Sequence, residues 1–339
     1  MENAKKSPIK KFLEIRGMGA ALTAFIGLIV IYIAFGLIDS TMFKPLNVLN
    51  ILRSSAKYIL IGVAQSYVLI TGNIDLSIGA VVGMSAMIAA TLMTMGVNPI
   101  IAIIITVISC LVVGVINGVL VGKFKLPPFI ATLGTMFVTR GVAYMVNGNR
   151  NTDAISSGVG KDAADVYQDF FYYGKTFGIY NSFWIALVIF AVFFFILAKT
   201  RTGRHVYAIG SNIDAAKLSG VNVVGTTIKV YLVSAFCSAV VGLILCGQAG
   251  MGNMEAGISY EMYGVAAGVI GGVSPLGGTG ILLGTLAGAL VWQVLENGLN
   301  VIGAQVGIQY IVIGIIVTVA VLLDVVVRNG NFGKGKKKS

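Results

Sequence analysis

The chain has 339 residues, 57% of them hydrophobic and only 11% charged, with a formal net charge of +11 and a mean hydropathy of +0.91. A water-soluble domain carries about 25% charged residues, so this composition excludes a soluble enzyme or binding module and requires a polytopic, all-α membrane protein. The basic excess does not call for nucleic acid, because it is segregated along the chain.

Apolar runs near the ~20 residues that span a bilayer predict about ten transmembrane helices, over 19–38, 55–71, 76–95, 98–121, 127–147, 181–199, 228–249, 260–274, 280–298 and 308–327. With the N-terminus inside, seventeen of the 24 Lys and Arg fall in the cytoplasmic segments 1–18, 122–126, 199–229 and 328–339. Six lie on the other side, and Arg140 falls within a span. The positive-inside rule accounts for this asymmetry without a polyanionic partner and puts both termini in the cytoplasm. The expected organisation is a basic N-terminus over 1–18, a membrane domain over 19–327 and a basic tail over 328–339. The first span has a basic flank but exceeds a signal-peptide core, and no small-residue cleavage site follows it, so it is expected to remain as an anchor.

The first polar break lies between the second and third runs, in TGNIDLSIGAVVGMSAMIA from Thr71 to Ala89. A carboxylate at the bilayer centre costs roughly 2.5–3.5 kcal/mol on insertion scales, so Asp75 needs a cap, a partner or a task. Span counting puts it near the cytoplasmic side, just ahead of Leu76 and Ser77, where it is placed to N-cap the next helix. A deeper re-entrant break, with Asn73 and Asp75 facing a pore, is the alternative. The expectation is a structural pivot first and a substrate contact second.

Cys110, Cys237 and Cys246 lie in apolar runs without metal-ligand spacing and read as small core residues. Met84 and Met87 read as packing. The segment 148–180 is expected outside, with Tyr167, Phe170, Phe171, Tyr172 and Tyr173 among its charges. Its simpler reading is an ordered loop with aromatics at the lipid interface; the functional one is a docking surface for an extracellular partner.

The segment 200–228 is expected in the cytoplasm. Asn212 or Ser211 is placed to cap a short helix through Asp214, Ala215, Ala216, Lys217 and Leu218, with Ser219 following and Gly220 ending it in a left-handed conformation. Such an exposed helix is either an ordinary connector or an element that inserts into a groove on another protein. His205 beside it reads as a solvated loop residue.

Near the C-terminal end, Gly264, Gly268 and Gly272, then Gly280, Gly284 and Gly288, recur every four residues. Such stripes let helix backbones approach closely. Between them GGVSPLGGTG, with Gly271, Gly272, Ser274, Pro275, Gly277 and Gly278, reads as a tight cytoplasmic turn, packed in the simpler reading and a gate or hinge in the other. Polar groups at or near span positions mark a candidate substrate path: Gln65, Thr135, Arg140, Gln248 and Glu296, together with Asn73 and Asp75. For Arg140 and Glu296 an interhelical pair or a snorkelling side chain is the favoured reading.

Catalytic patterns are missing. The tail GNFGKGKK misses the phosphate-binding GxxxxGK[ST] pattern, because Lys337 stands where a hydroxyl must hold magnesium and no strand precedes it. With one His and no HExxH, paired-Cys or GxSxG pattern, the sequence supplies no hydrolase or metal site. No catalytic residue is assigned.

Four motifs in order carry a family resemblance. GNIDLSIG at 72–79 resembles the G-x-I-D-L-S-x-G hallmark of bacterial ABC importer permeases for ribose, galactose, xylose and related simple sugars. PFIATLGTMFVTRG at 128–141 is similar to the family's PFI-x-TLGT segment with its downstream Arg-Gly. SNIDAAKLSGVNV at 211–223 resembles its ATPase-contacting loop, and GGVSPLGGTG at 271–280 its glycine turn. The resemblance extends from about residue 20 to 327, with modest departures at Asn73, Ser211 and Pro275. Permeases for branched-chain amino acids and nucleosides lack the Ile-Asp-Leu-Ser run.

The resemblance implies a type II-like ABC importer bundle that pairs with a second permease copy or a paralogue and has no enzyme activity of its own. It implies a cytoplasmic ATPase that holds ATP and magnesium, leaving no cofactor on this chain, and an extracytoplasmic sugar-binding protein. Residues 212–220 would couple to the ATPase. The alternative is a stand-alone secondary transporter or channel, which predicts inverted repeats and an ion-binding constellation at midplane; no second copy of IDLS or of the Arg140 region is visible. A non-transporting scaffold would not need the break at Asn73 and Asp75.

Overall fold

The computed structural model describes residues 18–305 and scattered positions from 307 to 322. The basic N-terminus, the tail and much of the tenth expected span, 308–327, therefore lie outside the described residues. Each of the other nine runs is a helix. In chain order these are α1 (Met18–Ile38), α2 (Pro45–Ile70), α3 (Ile78–Thr94), α4 (Pro99–Gly122) and α5 (Pro128–Met145). Two short helices, α6 (Ser156–Val159) and α7 (Lys161–Gln168), follow, then a π-helical turn at Asp169–Tyr173 and the strands β1 (Lys175–Thr176) and β2 (Ile179–Tyr180). The chain continues through α8 (Asn181–Lys199), α9 (Arg201–Ser211), α10 (Ile213–Leu218), α11 (Val223–Ala249), α12 (Tyr260–Ile270) and α13 (Leu282–Val301). The strands pair antiparallel as a minimal hairpin.

Proline sets several helix starts: Pro45, Pro99 and Pro128 each occupy the first turn, where the missing amide hydrogen costs nothing. Among the described residues, four helices are long and apolar enough to cross a membrane by length and composition, namely α4, α8, α11 and the Ala21–Ile38 part of α1. The protein is membrane-embedded and all-α. Its centre is α11, on which α2, α3 and α4 all pack; every residue of α2 from Tyr58 to Ile70 is buried. The periphery leaves Ile100, Ile104, Ile108 and Val112 of α4 and Val188, Val192 and Phe195 of α8 exposed, as lipid contact requires.

The bundle has two ends. One, here the basic end, carries α9, α10, the α4–α5 connection and the turn between α12 and α13. The other, the loop end, carries residues 146–180. There the aromatics depart from the lipid-interface expectation: Tyr167, Phe171 and Tyr172 are buried. Tyr167 donates to the Leu243 carbonyl of α11 at 2.9 Å, and burial raises its phenol pKa well above the ordinary value. Only Phe170 and Tyr173 of this group are exposed.

α2 begins ten residues before the expected span, at Pro45 rather than 55. Arg53, whose charge depresses hydropathy there, lies between the rings of Tyr172 and Tyr180, 4.6 and 4.3 Å from their centroids. The glycine stripes also differ from expectation. Gly272 and Gly280 lie in the turn, because α12 ends at Ile270 and α13 starts at Leu282. The remaining pairs do pack: Gly264 and Gly268 of α12 lie against Ile61, Gln65 and Ser66 of α2, and Gly284 and Gly288 of α13 against Gly271 and Ala267.

Candidate functional site

At the basic end, Asn212 is the N-cap of α10 and accepts from the amides of Asp214 at 3.0 Å and Ala215 at 2.9 Å. Gly220, at φ 79°, ends the helix, with the Val221 amide donating to the Ala216 carbonyl at 3.0 Å. The two alanines are not equivalent: Ala216 is buried, whereas Ala215, Ser219 and Leu218, the last 91% exposed, face outward. Lys217 and Asp214 pair with each other along the helix at 3.2 Å. His205 sits on a helix, α9, and not in a loop.

α9 connects this projection to the interior. Its Tyr207 hydroxyl donates to the Gly280 carbonyl at 2.6 Å, and burial pushes the phenol pKa up to about 12. Gly210 of α9 lies so close to the Ile70 carbonyl that a methyl group there would overlap it. The Gly278 amide donates to the same carbonyl at 2.8 Å. The turn itself is held by Ser274, whose amide donates to the Thr279 carbonyl at 3.0 Å and whose carbonyl accepts from Gly277 at 3.1 Å. Gly277, at φ 87°, packs on Gly72 and Gly210, Gly271 packs on Gly284, and Pro275 is half-buried beside Leu276. Through α9, the projecting α10, the glycine turn and the end of α2 form one contiguous contact chain.

Just inside this layer lies Asp75, 2% exposed. One carboxylate oxygen accepts from the Ser77 amide at 2.9 Å and its hydroxyl at 2.6 Å; the other accepts from the Ser234 hydroxyl of α11 at 2.7 Å. Asp75 is therefore not the N-cap of α3. Ser77 occupies that position, and Asp75 closes an Asx turn around it. Ser77 Oγ in turn accepts from Asn117 of α4 at 2.9 Å, and Asn117 from Thr135 of α5 at 2.6 Å. Thr132 accepts from the Leu76 amide at 3.1 Å, and Tyr231 donates to the Ile74 carbonyl at 3.2 Å. Asn117 and Thr132 lie about 6–8 Å inside the basic ends of their helices, at 1.5 Å per residue. Thr135 belongs to this polar node. Asn73, half-exposed, donates through its side chain to the Thr71 hydroxyl at 2.9 Å and through its backbone amide to the Val68 carbonyl at 3.2 Å.

Sequence reasoning missed the second break. Between α11 and α12 the chain does not turn at the membrane surface. Gly252 packs on Met87 and Ala90, whereas Gly257 packs on Gly79 and Val82, so the segment 250–259 descends along α3 before α12 begins. Non-helical backbone at this depth is tolerated where protein satisfies it or water reaches it. Arg140 of α5 provides the first condition, donating to the carbonyls of Met254 at 3.1 Å, Ala256 at 2.8 Å and Gly79 at 3.1 Å. Glycine at 79 and 83 makes room, since a Cβ at either would overlap this segment, and at 83 the guanidinium as well. A signal was present: the expected span 260–274 is shorter than the ~20 residues a crossing helix needs, and short spans mark broken helices.

The descending segment supplies the second condition too. It lines a cavity of about 460 Å³ open at the loop end, together with Lys57, Gln248 and Tyr260. Beside it Glu296 of α13 accepts from the Tyr58 hydroxyl at 2.7 Å and lies 3.9 Å from Lys57, an interhelical cluster closed by Tyr260, Tyr263 and Trp292. Gln65, two turns further down α2, is fully buried, and neither atom of its amide has a partner. Such an orphaned amide costs about 1–3 kcal/mol.

No group of three or more His, Cys, Asp or Glu able to hold a metal occurs among the described residues. A helical membrane bundle with two broken helices, a polar node at one break and an arginine clamp at the other belongs to the class of transport permeases.

The comparisons define the family. A family profile described as the permease component of the branched-chain amino acid transport system matches residues 47–321. The chain is 37% identical over 315 residues to the ribose import permease protein of Bacillus subtilis (strain 168), covering 93% of this chain and 96% of that protein. It is 36% identical over 301 residues to the ribose import permease protein of Haemophilus influenzae, covering 89% and 92%. It is 32% identical over 337 residues to the galactose/methyl galactoside import permease protein of Escherichia coli (strain K12), covering 96% and 98%. No solved structure matches. The chain belongs to this family of import-system permease components.

Proposed function

We propose that the chain is the membrane subunit of an ATP-driven importer for a simple sugar of the ribose or galactose type, with ATP and magnesium held by a separate ATPase. Simple sugars are favoured over the amino acids in the family description because the relatives compared above are ribose and galactose/methyl galactoside import permeases. The chain contributes a path and a coupling element, not catalysis. In this reading the basic end is cytoplasmic, both termini lie on that side of a bacterial plasma membrane, and the loop end receives sugar from an extracytoplasmic binding protein.

The observation that carries this reading is the contact chain from α10 through Tyr207 and Gly210 to Gly278, Gly280 and Ile70. Closure of an ATPase groove around α10 would move α9, whose contacts with the glycine turn and the end of α2 would pass the displacement on to them. A partner shifts such an equilibrium only by binding one state better; a capped, projecting helix offers the surface for it. Leu218 and Ala215 would enter the groove, while Ala216 would anchor the helix to this chain. A second permease copy would pack on α5, where Ile130, Phe137, Val138 and Met145 are exposed and nothing lies within 4 Å of where side chains at Gly134 and Gly141 would begin.

The experiment is co-purification of the intact chain with its ATPase. Ala215→Arg and Leu218→Asp are expected to abolish association while leaving thermal stability unchanged, since both positions face solvent. Association that survives both variants would refute the assignment of α10.

A further inference from the structure

We propose that the groove between the loop-end turn of α4 and the short helix α7 is a phospholipid site, which seats an acyl chain and takes an ethanolamine headgroup at its rim. The inference rests on the bundle being membrane-embedded and not on its cargo, so its failure leaves the importer reading in place. Three observations carry it: the shape of the groove, its continuity with the lipid-facing side of α4, and the polar groups at its mouth.

The groove holds about 600 Å³, inside the roughly 300–1,000 Å³ range of ligand sites. Ile100 and Ile103 of α4 form one wall, and Val166 with Phe170 the other. Ala163, Val166, Tyr167 and Phe170 recur at helical spacing, which gives this segment one apolar side. Tyr167 turns its hydroxyl to the Leu243 carbonyl of α11 at 2.9 Å, so it presents its ring to the groove. Ile100, Val166 and Phe170 are exposed, although they line a single concave space. An apolar hollow of this kind marks an interaction site.

Depth decides which apolar partner fits. α4 begins at Pro99, and Ile103 lies about 6 Å further along it at 1.5 Å per residue. The exposed Ile100 continues into Ile104, Ile108 and Val112, the lipid-facing side of α4. The groove therefore opens sideways into the hydrocarbon of the loop-end leaflet, where a water-soluble partner does not reach. An amphipathic helix such as α7 belongs in the interfacial layer above it. The rim is polar. Asn98 Oδ1 accepts from the Ile100 amide at 2.9 Å, which leaves its NH2 as a donor for a phosphate oxygen. Asp162, exposed in the first turn of α7, lines the same mouth and makes no ion pair among the described residues. A primary ammonium donates hydrogen bonds to a carboxylate, whereas a choline has no hydrogen to donate and a glycerol headgroup sets a net negative charge beside Asp162. Phosphatidylethanolamine satisfies both rim groups. Its seat also bears on the core, because Gln168 at the end of α7 donates to the Gly247 carbonyl of α11 at 3.1 Å, just before the descending segment begins.

The test reconstitutes the full chain in vesicles of equal ethanolamine, choline and glycerol phospholipids, re-extracts it in mild detergent and measures retained lipid by native mass spectrometry. A single tightly held phospholipid is expected, predominantly with ethanolamine. Val166→Asp puts a charge against the acyl chain and should remove the retained lipid, with the fold intact because the position is exposed. Asp162→Asn should lower the preference for ethanolamine over choline about tenfold, equivalent to about 1.4 kcal/mol, near the lower end for a hydrogen bond to a charged group. Its unfolding temperature in lipid-free detergent should match wild type. Wild-type protein that retains no phospholipid, or undiminished retention in Val166→Asp, overturns the site. Equal retention of the three headgroups by wild type overturns the ethanolamine assignment. A photo-crosslinking residue in place of Phe170, in membranes that also hold the ATPase and binding protein, should couple to phospholipid. Coupling to the binding protein or to a second copy of the chain instead overturns the proposal.

Discussion

Replacing Arg140 with Met tests whether the guanidinium holds the descending segment. Met keeps the length and apolar stem but removes all three donated hydrogen bonds. Met254 and Ala256 are half-exposed, Ala256 along the cavity, so water can take over at their carbonyls at up to ~1 kcal/mol of ordering cost. The Gly79 carbonyl belongs to a buried residue and loses a charge-assisted bond, about 1.5–3 kcal/mol. The net expectation is a loss of about 2–4 kcal/mol, concentrated in one region. Thermal unfolding in detergent reads the magnitude, and hydrogen exchange locates it: amides over 251–259 should exchange faster, while α8, remote from the clamp, should not change. Arg140→Lys should recover only part, because one ammonium cannot span three carbonyls. Unaltered stability and exchange in Arg140→Met would refute the clamp.

Asp75→Leu should destabilise by about 1–3 kcal/mol for each buried donor that finds no other acceptor, because the Ser77 amide and the Ser77 and Ser234 hydroxyls lose their acceptor together. Asp75→Asn should cost about 1 kcal/mol, since one amide oxygen still accepts; equal stabilities of the two variants in thermal unfolding would remove Asp75 as the node. Tyr207 predicts an alkaline transition at the basic end. Its folded-state pKa of about 12 lies above the ordinary value near 10, so its stabilisation is complete below pH ~10 and is lost as the pH rises towards ~12. Melting temperature measured across that window should fall more steeply for wild type than for Tyr207→Phe, and parallel curves would contradict this. Gly134→Leu should weaken self-association without unfolding the chain, measured by cross-linking in membranes; intact dimers would place the second copy elsewhere.

Much of the bundle was legible because hydrophobic length has one dominant cause, the thickness of the bilayer. α8 begins and ends at the expected residues, 181 and 199, where polar loops flank a clean apolar run. Local capping chemistry was legible because Asn212 and Gly220 act within a few residues of themselves. What escaped depends on distant partners. The first ten residues of α2 escaped because Arg53 lowers hydropathy there, and the rings that receive it, Tyr172 and Tyr180, lie more than a hundred residues away. Asp75 is satisfied by Ser234, 159 residues on, so its place as an Asx turn rather than a cap depended on α11. The outward turn of Ala215 and inward turn of Ala216 follow from the docking of α10 on its neighbours. Lys57, Asn253, Glu255 and Tyr260 were passed over because the descending segment looks like an ordinary loop until its contacts with Gly79 and Val82 reveal its depth.

The most direct measurement is sugar uptake by proteoliposomes containing this chain, its ATPase and the sugar-loaded binding protein, with and without internal ATP. The account predicts uptake that requires ATP and all three components and that Ala215→Arg abolishes. Sugar accumulation by this chain alone, driven by a proton or sodium gradient, would contradict it.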